Sequence, residues 1–213
     1  MPVLVIIFMD ELLVKYEKLK PTIKKRLKEF KEIGKNETNL FAELCFCLCT
    51  PQSSAFKCDN AIQNLIKLKL LENGSEDEVK EVLVKAGVRF HHNKAGYIVA
   101  ARKLNKELIN QLKSKNEFEI REWLVKNVKG FGLKESGHFL RNIGRYEHLT
   151  ILDRHILRNL VKYGAIKRIP DTLTAKRYLV IEKKMKAFAV ERNIPHAELD
   201  LLFWADAVGK VFK

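Results

Sequence analysis

The stretch Val128-Lys-Gly-Phe-Gly-Leu-Lys-Glu-Ser-Gly-His-Phe-Leu-Arg-Asn-Ile-Gly144 decides how the rest of the chain is read. A helical pattern over residues 118–128 closes at Gly130, the pair Gly130-x-Gly132 makes a tight turn, and a second helix opens at once over residues 133–143. Two glycines let the backbone approach a ligand closely, and the new helix adds outward N–H groups and the positive end of its dipole. Such a turn suits a phosphate. It is not a nucleotide-binding P-loop, because the glycine spacing is too short, no Ser or Thr follows Lys134, and a helix rather than a strand precedes it. Around it, residues 129–168 carry nine Lys or Arg against three acids, which fits a surface that holds a polyanion by its backbone.

Asp153 stands nineteen residues beyond Lys134, in Ile151-Leu-Asp-Arg-His-Ile-Leu-Arg158. Asp153, between an apolar pair and an amphipathic helix, reads as an N-cap, and a cap holds its carboxylate in one place, so capping and catalysis are compatible. Helical patterns fill most of the remaining chain. Residues 9–33 place Leu12, Leu13, Tyr16, Leu19, Ile23, Leu27 and Phe30 at spacings of three and four, with a basic opposite face. Thr38-Asn39 is expected to cap the apolar helix that follows, and Ser75-Glu-Asp-Glu78 has the form of a capping box. Gly87 ends that helix, another begins at His91 or Asn93, and further helices cover 104–112, 153–163 and 174–190. The last, near 197–207, has Pro195 as its first-turn proline. Alternation of period two is confined to residues 2–8, so the fold class is all-α.

Composition agrees with a folded, anion-binding protein. A chain of 213 residues with 46% hydrophobic residues, 10 Gly and 5 Pro is neither disordered nor a linker protein. The net charge of +14 points to a polyanionic partner, and nucleic acid is the commonest. Nothing approaches the ~20 apolar residues of a membrane span. The apolar start at residues 2–8 lacks a basic lead and a cleavage site, reads as a short strand or tail, and leaves Met9 as an alternative start. Three of the four cysteines alternate inside Phe41-Ala-Glu-Leu-Cys-Phe-Cys-Leu-Cys49, a spacing that reads as a buried helix rather than a metal site. The expectation is a cytoplasmic, nucleoid-associated monomer without signal peptide, metal or cofactor.

Gly130-Phe-Gly-Leu-Lys134 followed by Asp153-Arg-His155 resembles the helix-hairpin-helix/Gly-Pro-Asp superfamily of DNA base-excision glycosylases, and the Lys–Asp pairing looks like its bifunctional members, which also cleave the strand. The chain departs from that name in having Leu152, not Pro, before the aspartate. Cys45-Phe-Cys-Leu-Cys-Thr-Pro-Gln-Ser-Ser54, Ala86-Gly-Val-Arg-Phe90 and Leu201-Leu-Phe-Trp-Ala-Asp-Ala-Val-Gly-Lys-Val-Phe-Lys213 are similar to archaeal-type 8-oxoguanine DNA glycosylases of the second subfamily. No cysteine follows Cys58, so the iron–sulfur cluster of endonuclease III-like relatives is missing. On this reading two helical lobes flank a DNA-binding cleft. Residues 36–148 form one lobe, ending in the helix-hairpin-helix, and 1–35 join 149–213 in the other.

The resemblance implies removal of 8-oxoguanine from double-stranded DNA followed by strand cleavage at the abasic site. The sugar carbon C1′ is hidden in a duplex, so the nucleotide must first be flipped out. Lys134 is the expected nucleophile, through a Schiff base and β-elimination, with cations such as Lys129 or Arg154 helping it to lose its proton. Asp153 is expected to stabilise the cationic sugar. Lys129, Gly130, Gly132 and Arg154 would meet phosphate, and His91, His92, Asn93 and Lys94 are further phosphate candidates. Arg89-Phe90 is either a wedge into the gap or a core aromatic, and Gln52 either bonds the orphaned base or is a plain loop residue. Trp204, with Asp206 a turn away, would stack on the extruded base. The resemblance gives Lys213 a base-recognition role; the residues alone read as a short apolar anchor with a frayed tip. Two other readings stay open: the same scaffold acting on oxidised pyrimidines or mispaired adenine, and a non-catalytic DNA-binding module.

Overall fold

The computed structural model describes residues 10–213. Among them are twelve α-helices, a 3-10 turn at Arg102–Leu104 and no strand. The alternating segment at residues 2–8, and Met9, lie outside the described residues. The described residues divide into two units, the larger holding residues 28–151 with Lys213 and the smaller holding 10–27 with 152–212.

The larger unit is built around α2 (Glu37–Cys49), in which nine residues are buried, among them all three alternating cysteines. A helix that is apolar on every side has to be wrapped, and α3 (Ala55–Lys67), α6 (His91–Ala101) and α9 (Leu133–Asn142) pack against it. Its cap is Asn36, whose side chain accepts from Thr38 N at 2.9 Å, so the helix starts before the expected Thr38-Asn39. Neither α3 nor the short α4 (Leu70–Asn73) was expected from the sequence. The Ser75–Glu78 capping box opens α5 (Glu76–Lys85), and Gly87, at φ +73°, ends it. Then come α7 (Asn105–Ser114) and α8 (Glu117–Asn127). Residues 28–35 and 149–151, expected in the other lobe, group here. The Arg141 guanidinium lies 5.4 Å from the centre of the buried Phe30 ring, and Gly34 is so close to Ile143 that a Cβ would stand 2.0 Å from its carbonyl oxygen.

The smaller unit contains α1 (Glu11–Ile33) as far as Leu27, α10 (Arg154–Lys162), α11 (Ala175–Glu191) and α12 (His196–Val208). Pro195 stands at the N-cap of α12, one place before the expected first turn. Leu199, Leu201, Leu202 and Phe203 bury α12 against α10 and α11, each contributing roughly 1.5–3 kcal/mol. Two buried hydrogen bonds fix its rotation: Tyr16 donates to Glu198 at 2.8 Å, and Asn159 donates to the Phe203 carbonyl at 2.6 Å. No helix of the described residues is long and apolar enough to cross a membrane.

Candidate functional site

Between α8 and α9 the chain turns in five residues. Phe131 N–H donates back to Val128 O at 3.0 Å, and Gly130 takes φ +95° with its α-carbon against Tyr97, where a Cβ would meet the ring at 2.5 Å. Gly132 then caps α9. It has no side chain with which to bond the first N–H groups of the helix, and its own N–H donates to Glu135 Oε2 at 3.1 Å. The amides of the first turn therefore stay available to an anion, as the sequence pattern predicts.

Lys134 is the second residue of α9, one-quarter exposed, with Nζ 2.9 Å from Glu135 Oε1. The Lys129 ammonium lies 5.6 Å from the centre of the Tyr97 ring, the same ring that Gly130 packs against. Inward of Lys134 lies His138, buried edge-on to Phe46 at 5.5 Å. Burial, together with the charges of Arg141, Lys134 and Lys213, pushes its imidazole well below the ordinary range, so it is neutral.

Lys213 is not frayed. Its ammonium is buried between Glu43 at 2.7 Å and Asp59 at 2.8 Å, over the Phe46 ring at 4.4 Å. Burial alone would push that lysine down, but the two carboxylates more than reverse it and raise it above its usual value. Glu43 also accepts from Asn142 at 2.9 Å. The sequence signal for this socket was visible: Glu43 is the one charged residue in the apolar run 40–49.

Gln52 and Phe90 lie on two loops of the same unit, and both are exposed with left-handed backbones, at φ +55° and +57°. Phe90 is 50% exposed, which excludes the core reading. Left-handed non-glycine residues cost about 1–3 kcal/mol each and gather at functional sites. The Arg89 guanidinium sits 5.4 Å from the Phe90 ring centre, and Arg89 N–H donates to Ser53 Oγ at 3.0 Å, joining the two loops. Lys94, expected on phosphate, points inward and is buried. It lacks an outward path because its three donors reach Cys49 O, Pro51 O and Ser53 Oγ at 2.6, 2.8 and 3.0 Å.

In the smaller unit Asp153 caps α10, with Oδ1 accepting from His155 N at 2.7 Å and from Ile156 N at 2.8 Å. Both cap bonds fall on one oxygen, which leaves Oδ2 for another partner. Arg154 follows, exposed. Trp204 is half-buried, its ring 6.3 Å from Phe212. Asp206, expected to help at the base, is engaged elsewhere: Lys15 is 2.5 Å away, Lys162 3.5 Å and the Tyr163 hydroxyl 3.4 Å. Burial would raise its carboxyl, yet the two lysines hold it below the usual range.

A family model described as 8-oxoguanine DNA glycosylase matches residues 23–194, which include the α8–α9 turn, Lys134 and Asp153. The chain belongs to this 8-oxoguanine DNA glycosylase family. An 8-oxoguanine DNA glycosylase/AP lyase of Fusobacterium nucleatum is 46% identical over 208 residues, 93% of this chain and 94% of the relative. The crystal structure of the 8-oxoguanine DNA glycosylase of Thermotoga maritima superposes with a TM-score of 0.87 at 38% identity, over 95% of this chain and 97% of that one. The Methanocaldococcus jannaschii 8-oxoguanine glycosylase/lyase, solved in complex with a 15mer DNA containing 8-oxoguanine, gives a TM-score of 0.87 at 37% identity, over 96% of this chain and all of that one. Glu135, Glu43, Asp59 and the inward Lys94 are the residues around this family site that the sequence did not single out for the parts they take.

Proposed function

We propose that this chain removes 8-oxoguanine from double-stranded DNA and then cleaves the strand at the abasic site. The observation that carries the reading is a lysine on the first turn of α9, beside a glycine turn whose amides are open to phosphate, in a chain of this family. Relatives named 8-oxoguanine DNA glycosylase/AP lyase cover nearly the whole chain.

Lys134 acts as the nucleophile. Its ammonium leaves Glu135 and gives up a proton, and the amine attacks C1′ as the bond from C1′ to the base breaks. The departing base takes up a proton, a second proton passes from the amine to O4′ as the C1′–O4′ bond breaks and the ring opens to a protonated Schiff base, and loss of a proton from C2′ then expels the 3′ phosphate as the C3′–O bond breaks, which cuts the strand. Asp153 stabilises the positive charge that develops on the sugar, with Oδ1 tied to the helix and Oδ2 turned to substrate. Lys129, Gly130, Gly132 and Arg154 hold the backbone; Arg89 and Phe90 wedge the stack, and Gln52 takes the orphaned base. Trp204 stacks on the extruded base, and Lys213 lies at the base pocket. The chain works as a monomer on nucleoid DNA.

Borohydride reduction during reaction with an 8-oxoguanine duplex will trap a covalent protein–DNA adduct, and Lys134→Gln will abolish it. Undiminished trapping by Lys134→Gln overturns the nucleophile. A parallel panel with an oxidised pyrimidine and with mispaired adenine checks the lesion.

A further inference from the structure

Lys94 is a buried cation for which no described carboxylate is a partner. It is held by acceptors alone. Cys49 ends α2, so its carbonyl is among those without an intrahelical partner, at the negative end of the helix dipole, and it is shared by the Lys94 ammonium and the Cys58 thiol, the latter at 3.1 Å. Pro51 and Ser53 flank Gln52 on either side, so the same ammonium grips the residue before and the residue after a left-handed position. Ser53 Oγ has two lone pairs: one takes Lys94 Nζ, the other takes the N–H of Arg89, the residue before Phe90. Phe90 is in turn the N-cap of α6, the helix that carries Lys94. A chain of four hydrogen bonds thus ties together α2, the loop of Gln52 and the loop of Phe90.

Nothing about packing alone calls for a lysine here. A methionine would fill the space but remove the one ammonium that joins the three acceptors, leaving Cys49 O to the weak Cys58 thiol donor, Ser53 Oγ to the Arg89 N–H alone and Pro51 O without its donor. We propose that Lys94 is a positioning residue for strand opening: through Ser53 it holds Gln52 and Phe90 in the left-handed conformations from which their side chains enter the duplex. The inference rests on the functional reading above, in which those two side chains act on the stack and the orphaned base.

The test uses an 8-oxoguanine duplex with 2-aminopurine beside the lesion, whose fluorescence rises when the stack opens. Duplex affinity is measured by anisotropy and excision under single-turnover conditions. Lys94→Met and Ser53→Ala are expected to bind within about threefold of wild type while losing most of the fluorescence rise and about tenfold or more of the excision rate, since small misplacements cost that much. Ser53→Thr, which restores the hydroxyl, is expected to recover both. Ser53→Ala keeps the test intact if Lys94→Met does not fold. An unchanged rise and rate in Ser53→Ala overturns the proposal. So does a loss of affinity that accounts for the whole effect, or a wild type that excises without any rise. A wild type that excises from no lesion duplex sinks the functional reading itself.

Discussion

Glu135 holds Lys134 and the turn at the same time: Oε1 is 2.9 Å from the Lys134 ammonium and Oε2 accepts the Gly132 N–H at 3.1 Å. The carboxylate is thus cap and counter-ion together. Glu135→Gln keeps an oxygen for the cap and removes the negative charge. Adduct formation at pH 7 is expected to rise several-fold, because the amine no longer has to leave an ion pair; timed borohydride trapping reads it. A slower rate would make Glu135 a group that orients the lysine.

The two glycines of the turn separate conformation from space. Gly130, at φ +95°, has both a backbone that resists a side chain and a Cβ position 2.5 Å from the Tyr97 ring. Gly130→Ala is expected to cost about 1–3 kcal/mol in chemical denaturation and to weaken duplex binding. Gly132 has an ordinary extended backbone, and its Cβ would meet only the flexible end of Glu135 at 3.3 Å. Gly132→Ala is expected to lie within about 0.5 kcal/mol of wild type. Equal losses would remove the distinction.

Asp153 combines two tasks that one pair of variants can divide. Asn still accepts the His155 and Ile156 amides, so Asp153→Asn should leave the melting temperature nearly unchanged and lose most of the excision rate. Asp153→Ala loses the same rate and about 1 kcal/mol of stability with the cap. If Asp153→Asn retains full excision, the carboxylate is a cap and nothing more.

His138 gives folding a pH dependence. Its imidazole is pushed well below the ordinary value in the folded chain, first by burial and then by Arg141, Lys134 and Lys213. In the unfolded chain the ring protonates near ~6.5. Between the folded and unfolded values the unfolded chain holds the extra proton, so this contribution is complete above about pH 6.5 and falls as pH drops below it. The melting temperature should decline from pH 7.5 to 5, and decline less in His138→Gln. Parallel curves for the two proteins would assign the decline to other groups.

What the sequence revealed follows the range of the interactions involved. The α8–α9 turn, the Ser75 box and the Asp153 cap are each written within a few neighbouring residues, and the structure has all three. The third helix was missed because Ser54 makes no capping hydrogen bond and the loop before it is only a few residues long. Lys94 looked like one more cation in His91-His-Asn-Lys94, since its partners are 41 to 45 positions away. Glu43 and Lys213 are 170 positions apart, beyond any local pattern. Phe90 stood between wedge and core until its exposure was known, and the left-handed backbones of Gln52 and Phe90 leave no mark in residue type.

The four cysteines of the larger unit, Cys45, Cys47, Cys49 and Cys58, are all free and buried. Burial raises every one of these thiols, Cys58 to about 11, and it is the thiolate that oxidants and alkylating agents attack. A protein proposed to repair oxidised DNA thus keeps its own most oxidisable atoms protonated and out of reach as long as it stays folded. Their reaction with a thiol reagent becomes a clock for the opening of the core, and peroxide should inactivate the native protein only as fast as that clock runs.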